Sequence, residues 1–112
     1  ISNYIFTDIN KFLEYLPFFM ERIEEVNKGM LDLNIKFDYK IACHCSYSDA
    51  SAPIDFDITS NILNLCGNRE ILLSELLKSR LEIIEEKKFK LYSRGIYLIK
   101  EKQMDVFKFK LN

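Results

Sequence analysis

Large apolar side chains and cysteines alternate with polar or small residues from Leu31 to Tyr47. A repeat of two residues is typical of a β-strand, whose successive side chains point to opposite faces of a sheet. The pattern therefore predicts one long strand with an apolar face on a core and a polar face in water. On the polar face we expect Lys36, Asp38, Lys40 and His44.

Residues 9–26 follow a different pattern, in which apolar side chains recur every three or four positions. This spacing predicts an amphipathic helix that Thr7 caps. Pro17 lacks the N–H group that would bond four residues back, so we expect it to kink or divide the helix near Leu16. Gly29 is placed to end the helix.

Two further helices are predicted after a polar loop at residues 46–53. The first is short, holds the apolar residues between positions 58 and 65, and ends at Gly67. Asn68 opens the second, in which leucines and isoleucines recur to about Lys87. We therefore expect a long third helix.

The last third of the chain predicts a hairpin. Two β-prone runs, residues 96–99 and 106–111, flank a polar segment, and in the second run apolar side chains alternate with lysines. The predicted order of elements is helix, strand, helix, helix, strand, strand. We therefore assign the α+β class, with an antiparallel sheet of about three strands and helices packed on one face.

The composition indicates an ordinary globular protein. The chain has 112 residues, of which 48% are apolar and 29% charged, so it has material for one core and a polar surface. We expect a single domain over residues 1–112. No apolar run approaches the roughly 18 residues that cross a bilayer. We expect a cytoplasmic protein that does not act at a membrane.

Charge is unevenly distributed along the chain although the net charge is only −1. Residues 1–60 carry five basic and ten acidic side chains, whereas residues 61–112 carry eleven basic and seven acidic ones. Such asymmetry bears on binding partners rather than on the fold. The acidic loop region and the basic C-terminal hairpin are thus separate candidate surfaces.

The three cysteines are poor candidates for a metal site or a disulfide. Cys43 and Cys45 lie two apart on the predicted strand, where side chains do not meet in disulfide geometry. His44 would point to the opposite face, so these three residues do not close a tetrahedral zinc shell with Cys66. We expect reduced, buried cysteines, an exposed histidine without a catalytic role, and neither a metal nor a cofactor.

Asp38 and Lys40 have a spacing with two interpretations. Many metal-dependent nucleases place an acid and a lysine two residues apart on one strand, where the carboxylate holds Mg²⁺. The same spacing follows from strand alternation alone, because charged residues on one face must be two apart. We favour a solvated face over a nuclease site.

Arg80 also has two interpretations, because it falls within the apolar stripe of the predicted third helix. In the first, its stem covers apolar surface while the guanidinium reaches water. In the second, Arg80 is buried and paired with Asp55 or Asp57, so that removing either partner would leave an uncompensated charge. We favour the first interpretation.

The absence of a recognisable catalytic constellation favours a binding protein over an enzyme. We expect a small protein-binding module that neutralises or regulates a partner protein, of the immunity-protein or inhibitor type, such as one that blocks a basic toxin or nuclease. Its contact residues would lie on the polar sheet face and the acidic loop, namely Lys36, Asp38, Lys40, His44, Asp49, Asp55 and Asp57.

Nucleic-acid binding is the alternative function. The predicted order of elements is similar to that of a winged-helix domain, in which the third helix enters the major groove and the hairpin is the wing. Basic residues in the hairpin region would then contact phosphates, namely Arg94, Lys100, Lys102, Lys108 and Lys110. Five glutamates on the predicted third helix count against this hypothesis, because they would repel phosphate.

Overall fold

The computed structural model describes residues 4–6, 8–34, 36–46 and 52–112. The chain divides into two compact units, Ile1–Asp38 and Tyr39–Asn112. The first unit holds helix α1 (Ile9–Gly29) and a 3₁₀ helix (Leu31–Leu33). The second holds strands and helices in the order β1 (Lys40–Cys43), α2 (Ala52–Leu65), β2 (Glu70–Ser74), α3 (Glu75–Glu82), β3 (Phe89–Ile99) and β4 (Lys102–Leu111). None of the described helices has the length and apolar character needed to cross a lipid bilayer.

Helix α1 follows the predicted amphipathic segment and ends at Gly29, as expected. Its cap is Asp8, whose carboxylate accepts a backbone hydrogen bond in the first turn at 2.8 Å, whereas Thr7 lies outside the described residues. The helix continues through Pro17, so the alternative that proline divides it near Leu16 is wrong. A proline removes only one of the backbone hydrogen bonds that hold a helix of 21 residues.

Among its described residues, the segment after α1 forms no strand before residue 40. It begins with the 3₁₀ helix, and Asn34 then has a left-handed backbone φ of 54°. The amide of Asn27 pairs with the backbone of Phe37, donating to its carbonyl at 2.9 Å and accepting from its N–H at 2.7 Å. These bonds occupy backbone groups that a neighbouring strand would need. The strand predicted over residues 31–47 is therefore, within the described residues, only β1.

The second unit is built on a mixed sheet of four strands in the order β1-β2-β4-β3. β1 and β2 run parallel and are connected through α2, whereas β4 pairs antiparallel with both β2 and β3. The α+β class is confirmed. The antiparallel sheet of about three strands is wrong in detail, because the sheet has a fourth strand and one parallel pair.

Strand β2 replaces the first part of the predicted long helix. All of its residues are buried, since β2 lies in the interior of the sheet between β1 and β4. A strand covered on both faces reads as a continuous apolar run, which periodicity alone does not distinguish from a buried helix. Helix α3 then has only eight residues, so residues 68–87 do not form the long helix that a winged-helix domain requires.

Helices α2 and α3 cover opposite faces of the sheet, because successive residues of a strand point to opposite faces. In β4, Val106 packs in a core cluster with Ile62 of α2, whereas the ring centroid of Phe107 lies 4.7 Å from Nζ of Lys78 on α3. The prediction that the helices pack on one face is therefore wrong for this unit. The cluster on the α2 face comprises Ile62, Cys66, Leu72, Ile99 and Val106.

The C-terminal hairpin is confirmed and is longer than predicted. β3 pairs with β4 from Phe89 to Ile99, with one irregularity near its middle. Lys100 and Glu101 form the two-residue turn with positive φ values of 52° and 65°. Two positive φ values match the type I′ geometry that suits the twist of paired strands.

Candidate functional site

The carboxyl ends of the two parallel strands bring together four polar side chains. His44 directly follows β1, and Ser74 is the last residue of β2. Parallel neighbours end at the same edge of a sheet, so these residues meet there. Asp55 comes from the first turn of α2 and Ser46 from the segment after β1. We name His44, Ser46, Asp55 and Ser74 the histidine cluster.

Both ring nitrogens of the histidine have partners. Nδ1 of His44 lies 2.6 Å from Oγ of Ser74, and Nε2 lies 2.8 Å from Oδ1 of Asp55. The other carboxylate oxygen of Asp55 accepts a hydrogen bond from the Ser46 hydroxyl at 2.5 Å. Ser74 Oγ also accepts the backbone N–H of Leu77 at 3.3 Å, which caps α3.

These contacts are all satisfied by a neutral ring that carries its proton on Nε2. Asp55 then accepts the Nε2–H bond, and Nδ1 of His44 accepts the hydroxyl proton of Ser74. Ser74 in turn accepts from the first turn of α3. If Nδ1 donated instead, the hydroxyl proton of fully buried Ser74 would have to find another acceptor.

The histidine cluster contains the residue types of a serine-hydrolase triad, but its burial fits a structural role. The Ser74 residue is 0% exposed and its hydroxyl is already shared between His44 and α3. A nucleophile must reach a substrate, and this oxygen is fully buried. The cluster instead ties the short strand β1 to the starts of α2 and α3.

The predicted exposure of His44 on a wet sheet face is wrong. Its side chain is 5% exposed and that of Asp55 is 15% exposed. The even positions of β1 lie on the face that α2 covers, since Ala42 packs against the α2 core cluster. The alternation correctly assigns the odd and even positions of β1 to opposite faces of the sheet. However, α2 covers the face of the even positions at this end of the sheet.

A second cluster lies at the opposite end of the same sheet face. The carboxylate of Glu70, at the start of β2, accepts the Gly67 N–H at 2.8 Å and the Nε–H of Arg94 at 3.0 Å. Nζ of Lys108 lies 3.8 Å from the same carboxylate, and Arg94 also donates to the Tyr97 hydroxyl at 2.7 Å. We name Glu70, Arg94, Tyr97 and Lys108 the glutamate cluster.

The glutamate cluster keeps a buried carboxylate ionised. Burial alone would raise the pKa of Glu70, but the Gly67 hydrogen bond and the charges of Arg94 and Lys108 outweigh it and hold that pKa below its ordinary value. The hydrogen bond to Glu70 and its charge raise the pKa of the Arg94 guanidinium. The pair is therefore ionised throughout the neutral range.

A β-bulge brings Arg94 into the glutamate cluster. The pairing of β3 with β4 shifts register between Ser93 and Gly95, which leaves Arg94 as the extra residue. Gly95 has a φ of 137°, a conformation that side chains with a Cβ rarely adopt. A bulge of this kind redirects a side chain, here across β4 towards Glu70 on β2.

Replacing Gly95 with alanine is expected to destabilise the second unit by about 1–3 kcal/mol, the usual cost of a strained backbone position. A Cβ at this position would also lie 3.3 Å from the Tyr97 side chain. Urea unfolding provides the measurement. Gly29→Ala is the control, because no atom lies within 4 Å of the place that its new methyl group would occupy and its φ is ordinary. Equal unfolding midpoints for the two variants would contradict the role of the bulge.

The thiols of Cys43 and Cys66 are buried, whereas Cys45 is half-buried, and all three have low reactivity. Burial raises the pKa of Cys43 to about 12, and it also raises the pKa values of Cys45 and Cys66. All three are free thiols. Within residues 4–6, 8–34, 36–46 and 52–112, no group of three or more histidine, cysteine or acidic side chains is arranged to hold a metal ion.

The residues predicted to contact a partner protein have different environments in the structure. Lys36 and Asp38 are exposed in the first unit, and Lys40 is exposed at the start of β1. His44 and Asp55 are largely buried in the histidine cluster, while Asp57 is exposed and its Oδ2 lies 3.3 Å from Nζ of Lys100. Asp49 lies outside the described residues.

Arg80 is exposed on α3, so the hypothesis of a buried arginine paired with Asp55 or Asp57 is wrong. The predicted partner of that pair, Asp55, bonds His44 instead. The interpretation that the Arg80 guanidinium reaches water is the one consistent with its exposure.

The residues predicted to bind nucleic acid fall into two groups. Arg94, Lys108 and Lys110 lie towards the end of the hairpin near the start of β3, whereas Lys100 and Lys102 lie at the turn. At about 3.3 Å per residue, Lys102 and Lys108 are about 20 Å apart along β4. They do not form one surface patch.

Sequence reasoning missed Ser74 and Glu70 as members of polar clusters. Both were assigned to one continuous helix, with Glu70 near its start, where an acidic side chain suits the helix dipole. One signal was available for Ser74, because Ser followed by Glu75 is a common start of a helix. Nothing in the sequence indicated the contact between Glu70 and Arg94, since it depends on the strand order and on the bulge.

No protein-family model, curated protein or solved structure matches the chain.

Proposed function

We propose that this protein is a non-catalytic binding module that adds a strand of a partner protein to the outer edge of β3. The observation that carries the proposal is the position of β3, which is last in the sheet order β1-β2-β4-β3. It has 11 residues and pairs with β4 on one side only, among the strands of the described chain. An open edge offers a row of backbone donors and acceptors to another chain.

The second half of this edge is apolar. Ile96 is 65% exposed and Leu98 is 73% exposed, and both point to the face opposite α2. Edge strands usually carry charges that discourage pairing, as Lys90 and Arg94 do in the first half of β3. From Gly95 to Ile99 the strand has no charged residue. This half therefore suits an extended segment with apolar side chains.

A non-catalytic role is supported by the state of the reactive side chains. His44, the one histidine of the chain, has both ring nitrogens engaged in a buried cluster. The cysteine thiols have raised pKa values, so they are protonated at neutral pH and are weak nucleophiles. Binding of a strand at the edge of β3 therefore does not require His44 or the cysteine thiols to change their contacts.

The partner protein would still be neutralised or regulated, as expected of an immunity protein or inhibitor. It would bind at the outer edge of β3 rather than at the polar sheet face and the acidic loop. Asp55, assigned from the sequence to the acidic surface, is largely buried with His44. The outer edge of β3 has no partner among the described strands of the sheet.

Site-specific photo-crosslinking in the native cell tests this function. A benzoylphenylalanine at Leu98 is expected to capture a protein that the same group at Ile83, which is 81% exposed beside α3, does not capture. With the captured protein purified, the double variant Ile96→Lys, Leu98→Lys should bind at least tenfold more weakly, because two apolar contacts are lost. Ile83→Lys should bind like the unmodified protein. Identical crosslinking at both positions, or equal affinities, would overturn the proposal.

A further inference from the structure

A strongly basic area extends beyond the end of α2 on the same sheet face. Val106 and Leu72 of this face belong to the α2 cluster, and Lys108 lies directly opposite Leu72. The alternate positions that follow along β4 and β3 therefore share the face, because side chains alternate along each strand. We name as the basic face Lys40, Lys90, Tyr92, Arg94, Lys108 and Lys110.

The charges of the basic face are concentrated and mostly unneutralised. Lys40, Lys90 and Lys110 are exposed, and no carboxylate among the described residues forms an ion pair with them. Lys90 lies directly opposite Lys110 in the hairpin. Two like charges in that position repel each other, so the free protein carries an unfavourable pair that an anion would relieve.

Glu70 is the acid beside these cations, but it bonds Arg94 and does not neutralise Lys90 or Lys110. Its side chain is 10% exposed and its two oxygens are engaged with Gly67 and Arg94. The carboxylate therefore fixes the Arg94 guanidinium, while Lys90 and Lys110 are exposed. Tyr92 lies directly opposite Lys108, two residues from Lys90 along β3, and is 47% exposed.

We propose that the basic face binds the phosphodiester backbone of single-stranded nucleic acid, with Tyr92 stacking against a base. A cationic sheet face with an exposed aromatic ring is the combination that single strands use, since bases stack on the ring and phosphates meet the cations. A duplex would need an element that enters a groove. Helix α3, the nearest counterpart of the predicted recognition helix, is short and carries Glu75 and Glu82. Nucleic-acid binding at the basic face does not require a partner strand at the outer edge of β3.

Fluorescence anisotropy with labelled oligonucleotides of twenty thymidines or twenty uridines tests the inference. With three or four phosphates contacted, the affinity should fall about 20- to 50-fold between 50 and 200 mM salt, from the usual slope of about −0.7 per phosphate for single strands. Lys90→Gln with Lys110→Gln should weaken binding at least tenfold at 50 mM salt and reduce the slope by about 1.4. Tyr92→Leu should weaken it by about tenfold through lost stacking.

The matched control is Lys100→Gln with Lys102→Gln, which removes the same charge at the turn of the hairpin. This pair should change the affinity less than twofold. Removing the Lys90–Lys110 repulsion should raise the urea midpoint at low salt, so weaker binding by that variant is not caused by unfolding. Equal losses for the two double variants would overturn the placement on the basic face. Absence of binding at 50 mM salt, or polyglutamate binding as tightly as the oligonucleotides and unaffected by Tyr92→Leu, would overturn the nucleic-acid ligand.

Discussion

Replacing Ser74 with alanine is expected to lower the free energy of unfolding of the second unit by about 2–4 kcal/mol. The hydroxyl caps α3, and losing such a cap costs about 1 kcal/mol. It also bonds Nδ1 of His44 at 2.6 Å, and a buried nitrogen left without a partner costs about 1–3 kcal/mol more. Equilibrium urea unfolding followed by circular dichroism measures the difference.

Ser79→Ala is the matched control for this substitution. Ser79 lies on the same helix, is exposed, and donates only to the carbonyl of Glu75 at 3.1 Å. It should change the free energy of unfolding by less than about 0.5 kcal/mol, as surface substitutions usually do. If Ser74→Ala were as mild as Ser79→Ala, the histidine cluster would not stabilise the fold.

Glu70→Gln is expected to destabilise the second unit by about 2–3 kcal/mol at pH 7. The amide preserves the shape of the side chain and its bond from Gly67, but it loses the charge that holds Arg94 and Lys108. Breaking a fully buried ion pair costs about 3–5 kcal/mol, and the cost is smaller here because both cations are partly exposed. Glu86→Gln, at an exposed position, is the control and should be nearly neutral.

The stabilising effect of Glu70 should disappear in acid. The pKa of Glu70 is lower in the folded protein than its ordinary value, about 4.3 in unfolded chains. Its contribution is therefore complete above the unfolded pKa and is lost as the pH falls through the folded pKa. The difference in unfolding free energy between the protein and Glu70→Gln should be constant from pH 6 to 8 and shrink below pH 4. A difference that grew in acid would contradict the lowered pKa.

The sequence patterns predict local elements well where one helix or hairpin is formed from neighbouring residues. Helix α1 and the C-terminal hairpin lie where the three- to four-residue spacing and the alternation of phenylalanine and lysine place them. Two errors have separate causes. Alternation from Leu31 did not require a strand, because the Asn27 side chain occupies the backbone of Phe37. The apolar run before Ser74 fitted a helix, because a strand in the middle of the sheet loses its period.

The candidate sites were less predictable than the elements, since they depend on contacts between distant parts of the chain. His44 and Asp55 were assigned to one binding surface from their polarity, and the structure does bring them together, but as a buried pair. That burial follows from α2 covering the face, which alternation in one strand does not reveal. Arg94 meets Glu70 only because a bulge adds a residue to β3 and because β4 lies between their strands.

Strand β1 has four residues and lies at the other margin of the sheet, so we expect it to separate in local unfolding more easily than β2 or β4, which pair on both sides. The hydrogen bonds of His44 hold the carboxyl end of β1 in place. Cys43 is buried while β1 is paired, so thiol reagents should reach it when β1 has separated from β2. The rate at which Cys43 is labelled in native buffer therefore measures how often β1 opens locally, separately from global unfolding.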